Sequence, residues 1–287
     1  MVESLFSIKY TGAIADYARL DLYDASQSYY GLARTLSILG HYYITGEIIA
    51  QAPRSKLELY IIPPEEGSFK QTVIAGALGA IVAAPFTTFV SKTVENWIPS
   101  GDPQIERLIE ALEENNDLLR ERNGVLHKSD EEVRQESEVE QHLEQHNDKM
   151  QVLRSITSNS FRSVFRPIGR SAEYVNLLAG PFEEPIGVVD AHVLSRIEAD
   201  RIDDEDSILV GIVNSFSRSS KTGVIFSEDI NRGFRFEFKA DGRLPREDDF
   251  SWSQFTGNKI RIYGRFVRFF DGNIKKFIVY TVERDTD

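Results

Sequence analysis

The chain has no cysteine, which excludes disulfide staples, thiolate metal sites, iron–sulfur clusters and cysteine nucleophiles. It also has no phosphate loop, dinucleotide fingerprint, HExxH helix or nucleophile elbow, the short motifs that announce the common catalytic chemistries. The first residues, Met1-Val2-Glu3-Ser4, carry no basic region followed by an apolar core. No cleavable secretory signal is therefore expected, and the chain reads as intracellular or facing the cytoplasm. Positive charge is scarce overall: the formal net charge is −12, which argues against general binding to duplex DNA by bulk electrostatics.

What is present is segregated. The length of 287 residues suits two folded units, and 41% apolar with 11% aromatic residues is ample for a core. Between Ser207 and Arg284 there are 14 cations against 9 anions, a local net charge of +5, so the remainder carries −17. The same window holds 14 of the 31 aromatic residues. Such asymmetry marks separate modules with separate partners.

Residues 1–70 read as a small α+β domain, with strands at 4–10 and 57–62 around a helical rhythm over 26–49 (Tyr29, Leu32, Ala33, Leu36, Leu39, Tyr43). From 71 to 91 runs a stretch of 21 residues without charge, bounded by Lys70 and Lys92. As one helix it would span roughly 31 Å, close to the hydrocarbon core of a bilayer. Small residues recur at every fourth position on two tracks, Ala75/Gly79/Ala83/Thr87 and Gly76/Ala80/Ala84/Thr88, a spacing that lets helix backbones approach closely. Trp97 would sit in the interfacial aromatic belt. Residues 71–98 are therefore expected as a transmembrane helix, or a re-entrant one kinked at Pro85. Helix packing would run through Ala75, Gly76, Gly79, Ala80 and Ala83, with Thr87 and Thr88 lining a path near the kink. The alternative is a buried core helix in a soluble chain.

Residues 99–206 form an acidic connector: Asp102-Pro103 caps a helix to about Arg122, and the block 101–150 has 15 acids against 6 bases. Arg154, Arg162, Arg166 and Arg170 then interleave with apolar residues, the last three at four-residue steps as a cationic ridge, which either meets lipid headgroups or a phosphate-bearing ligand or pairs with the preceding acidic helix. Residues 207–287 read as five short strands with a long connection at 241–257, a small OB- or SH3-like β-barrel. Its strands alternate Arg261/Tyr263/Arg265 and Arg235/Glu237/Lys239 with apolar partners. Arg261, Arg265 and Arg268, together with Arg154, Arg162 and Arg166, are the candidate ligand-binding cations. Basic strands with aromatics can track single-stranded nucleic acid, while a plain barrel would keep its rings in the core.

Nothing else suggests chemistry. His142 and His146 have the spacing of a two-histidine metal site but no third ligand, so a solvated helix face is expected. Asp203-Asp204-Glu205-Asp206 lacks the alternation and glycine of a calcium loop, and Glu65-Glu66 and Asp248-Asp249 lack tuning partners. No catalytic residue, metal or cofactor is expected.

The order of an α+β unit, a Gly/Ala-rich apolar segment over 72–90 led by Glu66-Gly67-Ser68-Phe69, an acidic helical middle and a C-terminal barrel resembles channel-type membrane effectors of bacterial antiphage systems. The Hailong system, in which the effector works beside a nucleotidyltransferase, is the closest in kind. The resemblance implies a homo-oligomeric ion channel in the bacterial inner membrane, with its soluble domains in the cytoplasm. Such a channel would be held closed by a single-stranded deoxyadenylate oligomer made by the partner enzyme. The competing reading is a soluble, non-enzymatic nucleic-acid-binding or scaffold protein in which 71–91 is core.

Overall fold

The structure is a computed structural model that describes residues 4–52, 55–62, 69–76, 83–123, 129–228, 232–238 and 247–285. The chain divides into two compact units, Met1–Glu198 and Ala199–Asp287.

The first unit contains β1 (Ser4–Thr11), a short 3-10 helix (Ala13–Tyr17), α1 (Leu22–Thr45), β2 (Leu59–Ile62), β3 (Phe69–Ala75), α2 (Ala83–Glu95), α3 (Pro103–Arg122), α4 (Asp130–Gln145), α5 (Asn147–Val164), β4 (Tyr174–Ala179), β5 (Glu184–Val189) and α6 (Ala191–Glu198). The five strands form one antiparallel sheet in the order β2-β3-β1-β4-β5. Four consecutive residues of the central strand, Leu5, Phe6, Ser7 and Ile8, are buried, so both of its faces are covered. Helix α1 starts where the Asp21 carboxylate accepts the Asp24 N–H at 3.0 Å and stops at Gly46, whose φ of 70° suits a residue without Cβ. Its Gly31 faces α5 so closely that a Cβ would lie 2.3 Å from the Ser160 carbonyl oxygen. The acidic middle is helical as expected. Asp102 caps α3 through the Gln104 N–H, and Ser129 with Glu132 forms a reciprocal capping box that starts α4.

The continuous helix expected over 71–91 is not formed. Residues up to Ala75 belong to strand β3, and α2 is a separate helix of 13 residues, about 20 Å long. Among the described residues no helix is long and apolar enough to cross a membrane. The described parts of the uncharged run are two amphipathic pieces. Gln71 and Val73 are buried on the strand, where the Gln71 amide donates to the Ile62 carbonyl at 2.7 Å. On α2 the stripe Phe86, Phe89, Val90 and Val94 recurs at three- and four-residue steps, and each member is buried in the unit's own core. Pro85 stands in the first described turn of α2, a position where a missing N–H is tolerated. Trp97, expected at a lipid interface, is 5% exposed and packs edge-to-face on Phe161 at 5.4 Å. The segments read as 1–70, 71–98 and most of 99–206 are thus one unit, because β4 and β5 from the far end of that stretch complete the sheet begun by β1.

The second unit contains β6 (Arg201–Ile202), β7 (Ser207–Ser217), β8 (Thr222–Ser227), β9 (Arg232–Phe238), α7 (Glu247–Thr256), β10 (Ile260–Arg268) and β11 (Ile274–Arg284). Five strands close a β-barrel in the circuit β7–β8–β9–β11–β10–β7, antiparallel except for the parallel pair β9–β11. The short β6 adds to the end of β10, so the unit begins before the boundary expected at 207. Phe234, Phe236, Phe238 and Phe277 point inward, and Phe250 of α7 inserts among Phe216, Phe236 and Phe238 at ring distances of 5.3, 5.1 and 4.9 Å. The barrel closes where β10 meets β11, and there Gly264 admits no side chain: a Cβ would lie 1.8 Å from the Ile278 carbonyl oxygen. Gly264→Val is expected to destabilise the barrel by about 3 kcal/mol or more, read by thermal or denaturant unfolding; an unchanged midpoint would contradict the closure described.

Candidate nucleic-acid interface

Arg162, Arg166, Arg261, Arg265 and Arg268 are ion-paired to carboxylates of their own unit. In the first unit Arg162 donates to Glu198 at 2.9 Å, and Arg166 donates to Asp24 at 2.8 Å. Arg170 shares that carboxylate at 3.2 Å. Asp24 is only 1% exposed, so these arginines pin the chain after α5 to the start of α1 and form no open ridge. The partners are thus α1 and α6, not the acidic helices considered in the sequence. Arg154 is buried in the packed face of α5. In the barrel Arg261 pairs with Asp285 at 2.8 Å, Arg265 with Asp206 at 2.7 Å, and Arg268 grips both oxygens of Asp203 at 2.7 and 2.9 Å. The bidentate Arg268 contact holds the Asp203 carboxyl below the usual carboxylate range. Each of these pairs would have to open before its arginine met a phosphate.

A different face is open. Successive outward residues of β7, β8 and β9 stand in cross-strand rows: Ile212, Phe226 and Gly233 in one; Ser215, Val224 and Arg235 in the next; Ser217, Thr222 and Glu237 in the third. Their inward neighbours Val213, Ile225, Phe234 and Phe236 are buried, which fixes the orientation. Phe226 is half-buried and lies outside the core cluster, and Gly233 beside it has no side chain to cover the ring. Arg235 is exposed and, among the described residues, has no ion-pair partner. Ile208 is 59% exposed on β7, and Lys221 at the β7–β8 turn adds a second cation. The face therefore combines a half-buried ring, apolar flanks and a guanidinium without an ion-pair partner among the described residues. Alternation along β8 marks Phe226 as outward in the sequence, but the Gly233 opposite it emerges only from strand register.

The residues expected to pack or line a membrane helix are scattered. Ala75 ends β3 and Gly76 follows it, Gly79 and Ala80 lie outside the described residues, and Ala83, Pro85, Thr87 and Thr88 are on α2. The two small-residue tracks are consequently not stripes of one helix. His142 and His146 stack, with ring centroids 4.3 Å apart, and His142 is exposed on the α4 surface with one side of its ring near the Tyr42 and Phe89 rings. Among the described residues no group of three or more His, Cys, Asp or Glu is placed to hold a metal ion. Burial, reinforced by His146 and Lys149, holds the His142 imidazole below its usual range. The unfolded chain therefore takes up that proton first, and stability contributed by neutral His142 is lost as pH falls through and below the ordinary histidine range. Thermal unfolding of the first unit is expected at lower temperature at about pH 5.5 than at about pH 7.5, with a flatter dependence in His142→Gln.

Comparison with known families places the first unit in context. A family model described as a domain of unknown function, DUF7946, matches residues 6–203, a span that ends before β7 and leaves the five barrel strands outside it. No curated protein matches the chain.

Proposed function

The chain belongs to the DUF7946 family, and we propose that this member is a non-catalytic binding protein whose C-terminal barrel holds single-stranded nucleic acid on the outer face of β7, β8 and β9. The observation that carries this reading is the coincidence of strand circuit and surface. A five-stranded circuit with its first strand paired to the second and fourth, a parallel pairing of third and fifth, and a helix between third and fourth is the OB arrangement. In OB folds oligonucleotides lie across the second and third strands, between the loops joining strands one to two and four to five. Here that location holds Phe226 and Arg235, with Lys221 at its edge. A base stacks on the ring through its π-face and needs no particular sequence, while the two cations meet flanking phosphates. OB folds also take oligosaccharides, and salt separates the two ligand classes.

The deoxyadenylate oligomer implied by the resemblance to antiphage effectors is one such strand, so a labelled deoxyadenylate oligonucleotide is the probe. Two phosphate contacts predict an affinity loss of about sevenfold between 50 and 200 mM salt, measured by fluorescence anisotropy on the full chain. Absence of binding, or binding indifferent to salt, would overturn the proposal. Self-association remains a proposal carried by the same resemblance, and light scattering with and without the oligonucleotide reads it directly.

A further inference from the structure

We propose that the outer edge of β2 pairs with β2 of a second copy of this chain, antiparallel about a two-fold axis at Tyr60, so that two five-stranded sheets join as one. Strand β2 (Leu59–Ile62) stands at one end of the order β2-β3-β1-β4-β5 and is hydrogen-bonded to β3 on one side. The site is separate from the barrel and uses none of the residues assigned to nucleic acid.

The two edges of this sheet are finished differently. At the far edge β5 carries Pro185 and a register shift against β4, and its Ile186, Val188 and Val189 are buried. Proline, bulges and covering elements keep an edge strand from pairing further. Strand β2 has none of these. Its register against β3 runs from Leu59 to Ile62 without a shift, and it contains no charge and no proline. Tyr60, Ile61 and Ile62 are 53%, 48% and 39% exposed, so side chains on both of its faces are bare. A strand of this kind is a template for another strand.

The register selects the partner. The Gly76 N–H donates to the Glu58 carbonyl at 2.9 Å, which makes Glu58 and Gly76 a hydrogen-bonded pair. Antiparallel alternation then turns the N–H and C=O of Tyr60 and Ile62 towards β3, and those of Leu59 and Ile61 away from it. Among the described residues nothing meets the outward groups of Leu59 and Ile61. Their donors and acceptors are self-complementary: Leu59 set opposite Ile61 of a second copy satisfies all of them in both chains, and the axis falls on Tyr60. A slip of one residue would put inward-turned groups against outward ones. Moving the axis to Leu59 would set buried Leu57 against Ile61, and moving it to Ile61 would set Leu59 against Pro63, which has no N–H to offer. The facing rows are then Tyr60 on Tyr60 and Leu59 on Ile61, with Glu58 opposite Ile62 and no like charges opposed. No charge on the strand selects a foreign peptide, and an isologous pairing closes at two copies because it consumes the edge.

The chain has no cysteine, so one introduced thiol reports the position of the axis. In Tyr60→Cys the two Cα atoms would stand about 4.5 Å apart as a non-hydrogen-bonded pair, within the disulfide range. In Ile62→Cys they would be roughly 13 Å apart along the strands, outside that range. Under mild oxidation of the full chain without oligonucleotide, the cross-linked dimer should form about tenfold faster or more in Tyr60→Cys, read on a non-reducing gel. Ile61→Pro removes an outward N–H that β3 does not use and, with its copy, half of the bonds across the axis. It should raise the dimer dissociation constant about tenfold or more in sedimentation velocity. If that variant fails to fold, the two thiol variants still decide. Equal cross-linking rates in the thiol variants, a folded Ile61→Pro that dimerises as the native chain does, or a native chain that is monomeric at about 100 μM would overturn the proposal.

Discussion

Phe226→Ala is expected to weaken binding of a deoxyadenylate oligonucleotide by roughly ten- to a hundredfold, since stacking of one base on an aromatic ring is worth about 1–3 kcal/mol. The barrel should unfold at nearly its original temperature, because the ring faces outward and is not part of the twelve-residue core that includes Phe234 and Phe236. Arg235→Ala should act differently, lowering affinity modestly and reducing the salt slope by about the share of one phosphate. The pairing of the two variants matters. A face that merely tolerates nucleic acid through charge would lose affinity in Arg235→Ala and not in Phe226→Ala. An unchanged affinity in both would move the ligand away from β7, β8 and β9 altogether.

The second large effect concerns α2. Phe89→Ala is expected to destabilise the first unit by about 3–5 kcal/mol, the range for removing a buried ring that its surroundings cannot replace. Phe89 is 1% exposed and lies between Tyr43 at 5.2 Å, Tyr42 at 6.1 Å and His142 at 6.4 Å, so the cavity left behind would be lined on several sides. At about 2–4 °C per kcal/mol for a unit of this size, the thermal midpoint should fall by roughly 10 °C. A phenylalanine facing lipid would show no such penalty in the unfolding of the α+β unit. An unmoved midpoint would therefore contradict the packing of α2 in the core.

These expectations depend on features of unequal legibility. Strand β1, helix α1 and the caps of α3 and α4 are written locally: a strand-like mix of apolar and polar residues over 4–10, apolar residues at three- and four-residue steps through α1, and Asp102-Pro103 and Ser129 with Glu132 at helix starts. The barrel strands are equally local, down to the long connection that contains α7. The region 71–91 misleads because absence of charge reads as one property, while its described parts are a strand face up to Ala75 and a helix stripe from Ala83. Hydropathy averages the two, and no local signal says that Phe86, Phe89 and Val90 are covered by protein and not by lipid.

The sites divide in the same way. Arg261, Arg265 and Arg268 stand out by charge and alternation, but Asp285, Asp206 and Asp203, which occupy them, are distant in sequence or lie in what reads as an acidic linker.

Local chemistry alone thus determined the α+β character, the segregated basic and aromatic C-terminal barrel, the bounds of α3 and the lack of familiar catalytic motifs, since each is a matter of residue type and short-range period. Tertiary structure alone decided that β4, more than 160 residues from β1, completes the first sheet, that Val73 of β3 and the Phe86, Phe89, Val90 and Val94 stripe of α2 are core, that the prominent arginines are neutralised within their own units, and that Phe226 stands half-buried beside Gly233. Those outcomes depend on which distant surfaces meet, and apolar burial and ion pairing are non-local sums that no window of adjacent residues contains.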